Sequence, residues 1–365
     1  MMPVTPFLIF LATAGIATTV YLSYLLNNII ARVAINRNWC DAPGTAKVHT
    51  APVPFTGGIG IFLAWIIAVL IIAATHSVLP APLSLLTAIS GFPFLTFLLA
   101  AVSALLLGLL DDIRWKDRSI PIPKLTLQVI LALFVSLLLI KSHIIIHPSP
   151  VYNLIITSAI ILVTINALNL ADGIDGLAGG QATISLIALA VILGKINTTG
   201  PGKIINYHYP LLALFLAAAV AGFLFLNLRS PSRLFLGDNG THLLGALLAT
   251  ILIVTLARLP APFAPYPLIA ATLIIGIPLF DIIWVLVIRL SKIRTDLVFK
   301  DGPHLLFARQ RLGTCLLSLF TPDRNHIYDR IIAAGLSPRA TTILLWFLQS
   351  LSVATGITLL MLEIK

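Results

Sequence analysis

Long apolar runs alternate with short polar clusters along the whole chain. A run of about 20 residues suffices to cross the ~30 Å hydrocarbon core of a bilayer as a helix. Ten such runs can be read, at roughly 7–30, 57–75, 92–110, 125–141, 153–170, 177–194, 210–227, 242–258, 267–289 and 340–361. The pattern predicts an all-α polytopic membrane protein of about ten transmembrane helices, forming a single integral membrane domain over residues 1–365. The stretch from Leu83 to Phe92 either extends the third helix or forms an interfacial segment broken at Gly91-Phe92-Pro93.

Composition sharpens that class: 59% hydrophobic and 10% charged residues, with a mean hydropathy of +1.04, lie outside the range of soluble domains. Charge then sets an orientation, because basic residues gather on the cytoplasmic side of membrane proteins. Of the 23 Lys and Arg, 18 fall in the loops after helices one, three, seven and nine. Those loops are expected in the cytoplasm, with both termini on the outer face. The longest of them, Leu290 to Pro338, is read as a basic loop without a domain of its own. The first helix lacks a basic region ahead of it and a small-residue cleavage pattern, so it reads as a retained span. Cys40 and Cys315 fall on the cytoplasmic side, where a disulfide is not expected.

Acidic residues are scarce, 13 in all. Most of those with chemical promise lie in three strings at the ends of apolar runs: Asp111-Asp112; Asn166-Ala-Leu-Asn169-Leu-Ala-Asp172-Gly-Ile-Asp175; and Phe235-Leu-Gly-Asp238-Asn-Gly. Ionisable groups kept at the edge of a membrane span point to function. Asp111-Asp112 at a helix C-terminus opposes the macrodipole and repels itself. It is either a solvated helix end with Arg114 and Lys116 as counter-ions or a pair that orients an acidic nucleophile. In the second string the three-residue spacing keeps oxygens near one helix face. Asp238 fits the N-cap region of the eighth helix. Together, hard oxygen ligands on separate loops suggest Mg2+, with Mn2+ as a substitute, bridging a diphosphate. Asp281 lies about 12 Å along its helix from Arg289 and reads as a polar contact between helices.

The ordered motifs resemble the polyprenyl-phosphate N-acetylhexosamine-1-phosphate transferases, glycosyltransferase family 4, over almost the whole chain. They run from Asp41-Ala-Pro43-Gly-Thr-Ala-Lys47-Val-His49, with Pro52, Pro54, Gly57 and Gly58, through the three acidic strings to Pro322-Asp323-Arg324-Asn325-His326. The resemblance implies transfer of an N-acetylamino-sugar 1-phosphate, GlcNAc-1-phosphate first, from a UDP-sugar to undecaprenyl phosphate, with release of UMP. It implies a catalytic set of Asp111, Asp112, Asp172, Asp175 and His326. Asp111 and Asp112 are tied to the lipid phosphate, Asp172 and Asp175 to the nucleotide pocket, and His326 to phosphate. Substrate would be bound by Lys47, Lys124, Asn166, Asn169, Phe235 and Arg324, with Phe235 stacking on uracil, and Mg2+ by Asp238 and Asn169.

The chain departs from the family in places. His326-Ile-Tyr328-Asp329 keeps the first histidine of a His-Ile-His-His string, and Phe55 stands where Arg is common. One extra residue before Phe235 is expected to displace Asn227 from the nucleotide. The implied partners are a UDP-amino sugar, undecaprenyl phosphate, the lipid bilayer and a second copy as a homodimer, with no nucleic acid. The implied place is the bacterial inner membrane, with the site facing the cytoplasm, at the first membrane step of an envelope polysaccharide such as O-antigen. Phospho-MurNAc-pentapeptide transfer, a non-catalytic polyprenyl-phosphate-binding relative and a secondary transporter are the alternatives.

Overall fold

The computed structural model describes residues 4–43, 51–74, 92–115, 121–199, 208–299 and 325–363. It is a helical bundle: α1 (Val4–Asn36), α2 (Gly57–Ala74), α3 (Phe92–Leu110), α4 (Pro121–Lys141), α5 (Pro150–Ala171), α6 (Leu177–Thr199), α7 (His208–Asn227), α8 (Gly237–Ala257), α9 (Pro265–Ile275), α10 (Ile277–Phe299), α11 (Ile327–Ala333) and α12 (Pro338–Glu363). The described part has one two-stranded antiparallel ribbon, β1 (Cys40–Asp41) with β2 (Val53–Pro54). In a bilayer every backbone polar group needs an internal partner, which a helix supplies within itself.

All ten apolar stretches fall on helices. Among the described residues eight helices are long and apolar enough to span a membrane, and a ninth if α9 and α10 count as one broken span. The chain is a multi-pass membrane protein. One expectation needs correcting: the run 267–289 is not a single rod but bends by 87° between α9 and α10. Gly276 at the break has φ +58°, which glycine adopts without a Cβ penalty. Helix α10 also continues to Phe299, and α11 forms inside what reads as a featureless basic loop.

The break is sealed by one side chain. Gln349 of α12 donates from Nε2 to the carbonyls of Ile274 (3.0 Å) and Ile275 (3.4 Å) and accepts at Oε1 from the amide of Ile277 (2.8 Å). Ser185 of α6 also donates to the Ile274 carbonyl at 2.7 Å. No charged group is needed to satisfy the freed backbone.

Helix α8 is the axis of the bundle, packed against α2, α3, α5 and α6, with every residue from Asn239 to Leu256 buried. Close approach depends on small residues, as in other membrane bundles. A Cβ on Gly245 would lie 2.5 Å from the Ile165 Cα, and one on Gly108 would lie 2.5 Å from the Asn239 Cα. The second contact presses the end of α3 onto the start of α8. It thereby brings Asp111 and Asp112 to Asp238.

Candidate active site

At the end of α3 the helix widens into a π turn, Asp111–Trp115, a local expansion often found at functional sites. Both carboxylates are turned inward, Asp111 to 6% exposure and Asp112 to 8%. That rules against a solvated helix end; Lys116, one of its expected counter-ions, lies outside the described residues. Asp111 instead pairs with Lys124 of α4, and the same ammonium reaches Asp238 Oδ2 at 3.0 Å. Asn169 of α5 donates to the other oxygen, Asp238 Oδ1, at 2.6 Å and to Thr241 Oγ1 at 3.0 Å. Asp111 and Asp238 thus share one ammonium, and Asn169 joins them through Asp238.

Asp112 has a different place. Its carboxylate accepts from the backbone amides of Asp238 (3.0 Å) and Asn239 (2.9 Å) and from Asn239 Nδ2 (2.6 Å). These are the otherwise unpaired donors at the start of α8, where an anion is favoured by both hydrogen bonding and the dipole. Asp112 is therefore the carboxylate that seats α8. Asn239 Nδ2 also donates to the Phe55 carbonyl at 2.5 Å, so Phe55 serves here through its backbone.

Asp172 follows α5 directly and Asp175 stands in the next turn, exposed. Asp172 keeps a partly open edge. Even so, the protein packed around it, and then the charges of Asp238, Asp175 and Asp112, hold its carboxyl well above the usual range. Asn227 is held at this turn: its Oδ1 accepts from the Gly176 amide at 2.6 Å and its Nδ2 donates to the Leu234 carbonyl at 2.9 Å. It clamps the Asp172–Gly176 turn to the segment carrying Phe235. The Phe235 backbone is held in turn, its amide donating to the Pro54 carbonyl at 2.8 Å and its carbonyl accepting from Gly57 at 3.1 Å.

His326 lies apart from the Lys124 cluster. It is buried, with Nδ1 2.7 Å from Asp281 Oδ2, while Asp281 Oδ1 accepts from the Ile327 amide at 2.8 Å. Asp281 thus links α10 to the start of α11. Tyr328 stacks on His326, with ring centroids 5.2 Å apart and planes at 8°, and its ring packs over Gly173 between Asp172 and Asp175. The aromatic that departs from the histidine string is the one turned toward the acidic turn. Asn166 is also off the expected place: it faces α4, donating to Gln128 Oε1 (3.1 Å) and the Leu162 carbonyl (2.8 Å). Lys47 and Arg324 lie outside the described residues.

Gln128, Thr241 and Asn239 were not singled out by the sequence reading, nor was His242. A signal was present for two of them, since Gln128 follows Lys124 and His242 follows Asp238 by four residues, one helical turn. Among the described residues no three His, Cys, Asp or Glu side chains form a metal cage.

This arrangement falls within the segment matched by a family model described as glycosyl transferase family 4, over residues 94–256. Over that segment the chain is similar to glycosyl transferase family 4. Named relatives resemble the chain over half of its length or more. A probable undecaprenyl-phosphate N-acetylglucosaminyl 1-phosphate transferase of Bacillus subtilis is 26% identical over 347 residues, covering 92% of this chain and 81% of that one. A decaprenyl-phosphate N-acetylglucosaminephosphotransferase of Mycobacterium tuberculosis is 25% identical, covering 92% and 79%. An undecaprenyl-phosphate alpha-N-acetylglucosaminyl 1-phosphate transferase of Escherichia coli is 30% identical over 196 residues, covering 53% and 44%. The family 4 segment spans Asp111, Asp112, Lys124, Asn169, Asp172, Asp175 and Asp238, while His326 and Tyr328 lie beyond it.

Proposed function

We propose that the chain transfers N-acetylglucosamine 1-phosphate from UDP-N-acetylglucosamine to undecaprenyl phosphate. The products are undecaprenyl-diphospho-N-acetylglucosamine and UMP. The reaction belongs at the cytoplasmic face of a bacterial inner membrane, as the first membrane step of an envelope polysaccharide such as O-antigen. The observation that carries this reading is Lys124, shared by Asp111 and Asp238 where α3, α4 and α8 meet. The printed names of the relatives, each an N-acetylglucosamine phosphate transferase acting on a polyprenyl phosphate, support the choice of sugar and acceptor.

In the reaction an oxygen of the lipid phosphate attacks the β-phosphorus of the UDP-sugar. A new P–O bond forms, and the bond from that phosphorus to the bridging oxygen breaks, its electrons leaving with UMP. Phosphoryl transfer asks the protein mainly for positioning and charge compensation. Lys124 neutralises phosphate oxygens, and Asp111 holds that ammonium and orients the lipid phosphate. A phosphate monoester, with a second pKa of ≈ 6, is already a competent anion and needs no strong base. Asp172, Asp175 and Phe235 face the nucleotide, and Tyr328 lies over their turn.

A divalent cation fits this donor set. Lys124 is one positive charge between the carboxylates of Asp111 and Asp238, with those of Asp112 and Asp172 close enough to repel the charge of Asp238. Mg2+ takes one or two carboxylates and leaves its other positions to water and phosphate, so Asp238 and Asn169 would hold it. When bound, it supplies neutralisation of the diphosphate.

The test incubates purified protein in detergent with undecaprenyl phosphate, Mg2+ and a panel of UDP-amino sugars while UMP is measured. UMP release that needs both substrates, stops with EDTA and is lost in Asp238→Ala is expected. No UMP with any donor from folded wild-type protein would overturn the reading.

A further inference from the structure

One helical turn inward from the charged cluster lies a second polar layer on the same three helices. Gln128 is four residues beyond Lys124 on α4, Asn166 three residues before Asn169 on α5, and His242 four residues beyond Asp238 on α8. Each sits about 4.5–6 Å deeper than its counterpart in the outer layer. Gln128 is 1% exposed and His242 0%. Polar groups this deep in an apolar bundle are retained only with partners.

The bonds of this layer run in one direction. Asn166 Nδ2 donates both to the Leu162 carbonyl (2.8 Å) and to Gln128 Oε1 (3.1 Å). Gln128 Nε2 is 2.9 Å from His242 Nε2, and His242 Nδ1 is 2.7 Å from the Asp238 carbonyl oxygen. A carbonyl only accepts, so the Leu162 oxygen fixes which way Asn166 points, and Asn166 in turn fixes Gln128. Gln128 must then donate to His242 Nε2. At the far end the Asp238 oxygen requires a proton on His242 Nδ1. Both ends demand the same state, an imidazole carrying its proton on Nδ1 alone.

We propose that Gln128, Asn166 and His242 are positioning residues that lock α4, α5 and α8 in axial register. The lock keeps Lys124, Asn169 and Asp238 in one plane for the reaction, and its role in turnover rests on the transferase reading above. The layer touches no substrate. It acts on the Asp238 backbone from below, while Asp112 holds the same residue by its amide and Lys124 and Asn169 hold its carboxylate.

The test has two parts. Wild-type protein carrying ¹⁵N-histidine in detergent is expected to show a neutral Nδ1–H signal that disappears in His242→Asn. In parallel, Gln128→Leu, His242→Leu and His242→Asn are assayed for UMP release per folded molecule. The two Leu variants are expected to lose roughly 10–100-fold in kcat with KM for both substrates nearly unchanged, the size seen when partners of reacting groups are removed. His242→Asn, whose amide can donate to the carbonyl four residues back, is expected to recover part of that loss. Folded Leu variants with kcat within twofold of wild type, or no Nδ1–H signal, would overturn the proposal. Because His326 Nδ1 also faces a carboxylate oxygen, the signal that counts is the one lost in His242→Asn and kept in His326→Asn. Wild-type protein that shows the signal but releases no UMP would sink the transferase reading and leave the register lock standing.

Discussion

Asp238 has its amide, its carbonyl and both carboxylate oxygens engaged by five different side chains, with Thr241 sharing the carbonyl with His242. Each engagement makes a separate prediction. Asp112→Ala leaves two buried amides at the start of α8 unpaired and is expected to cost about 1–3 kcal/mol in detergent unfolding. Asp112→Asn, which keeps an accepting oxygen, should cost less. Lys124→Met removes the cation shared by two carboxylates and is expected to lower UMP release by about 10²–10³, the scale of losing one group aimed at developing charge. Asp172 gives a pH dependence. Its folded carboxyl is raised above 3.8, so the folded state binds that proton more tightly than the unfolded chain does. Without divalent cation, stability should therefore fall as pH rises from near 4 toward the folded value. Asp172→Asn should flatten that slope in thermal unfolding at several pH values. The strings themselves were legible because carboxylates stand out in an apolar chain. Their partners were not: Asp112 meets Asp238 across 126 residues and His326 meets Asp281 across 45, and no local pattern encodes such pairs.

At the level of elements, the helices were readable because length and apolarity are what a bilayer demands of a span. The break between α9 and α10 left a trace in Gly276-Ile-Pro278, but the apolar residues around it read as one span and its partner, Gln349, lies on the last helix. Gln349→Leu keeps the bulk but leaves the carbonyl of Ile275 and the amide of Ile277 without their side-chain partner. A loss of about 1–3 kcal/mol in unfolding is expected, with the activity of the remaining folded protein close to wild type if the break is structural. The π turn after α3 was equally hidden. It departs from helical spacing by widening one turn, and the sequence offers only two adjacent carboxylates as a trace.

For the whole molecule, a cation that binds the folded bundle and not the unfolded chain raises apparent stability, by about 2.7 kcal/mol at a hundredfold excess over its dissociation constant. Mg2+ is accordingly expected to raise the melting temperature of wild-type protein and to have little effect on Asp238→Ala; equal shifts in both would argue against Asp238 as a ligand. The consequence of the burial of α8 is one of logistics. Its carboxylate is mounted on the part of the molecule with the least freedom to shift, so it serves as a stationary benchmark. In the proposed reaction a sugar nucleotide delivered from water and a phosphate tethered in lipid would be brought to the same fixed point, and neither would have to find the other.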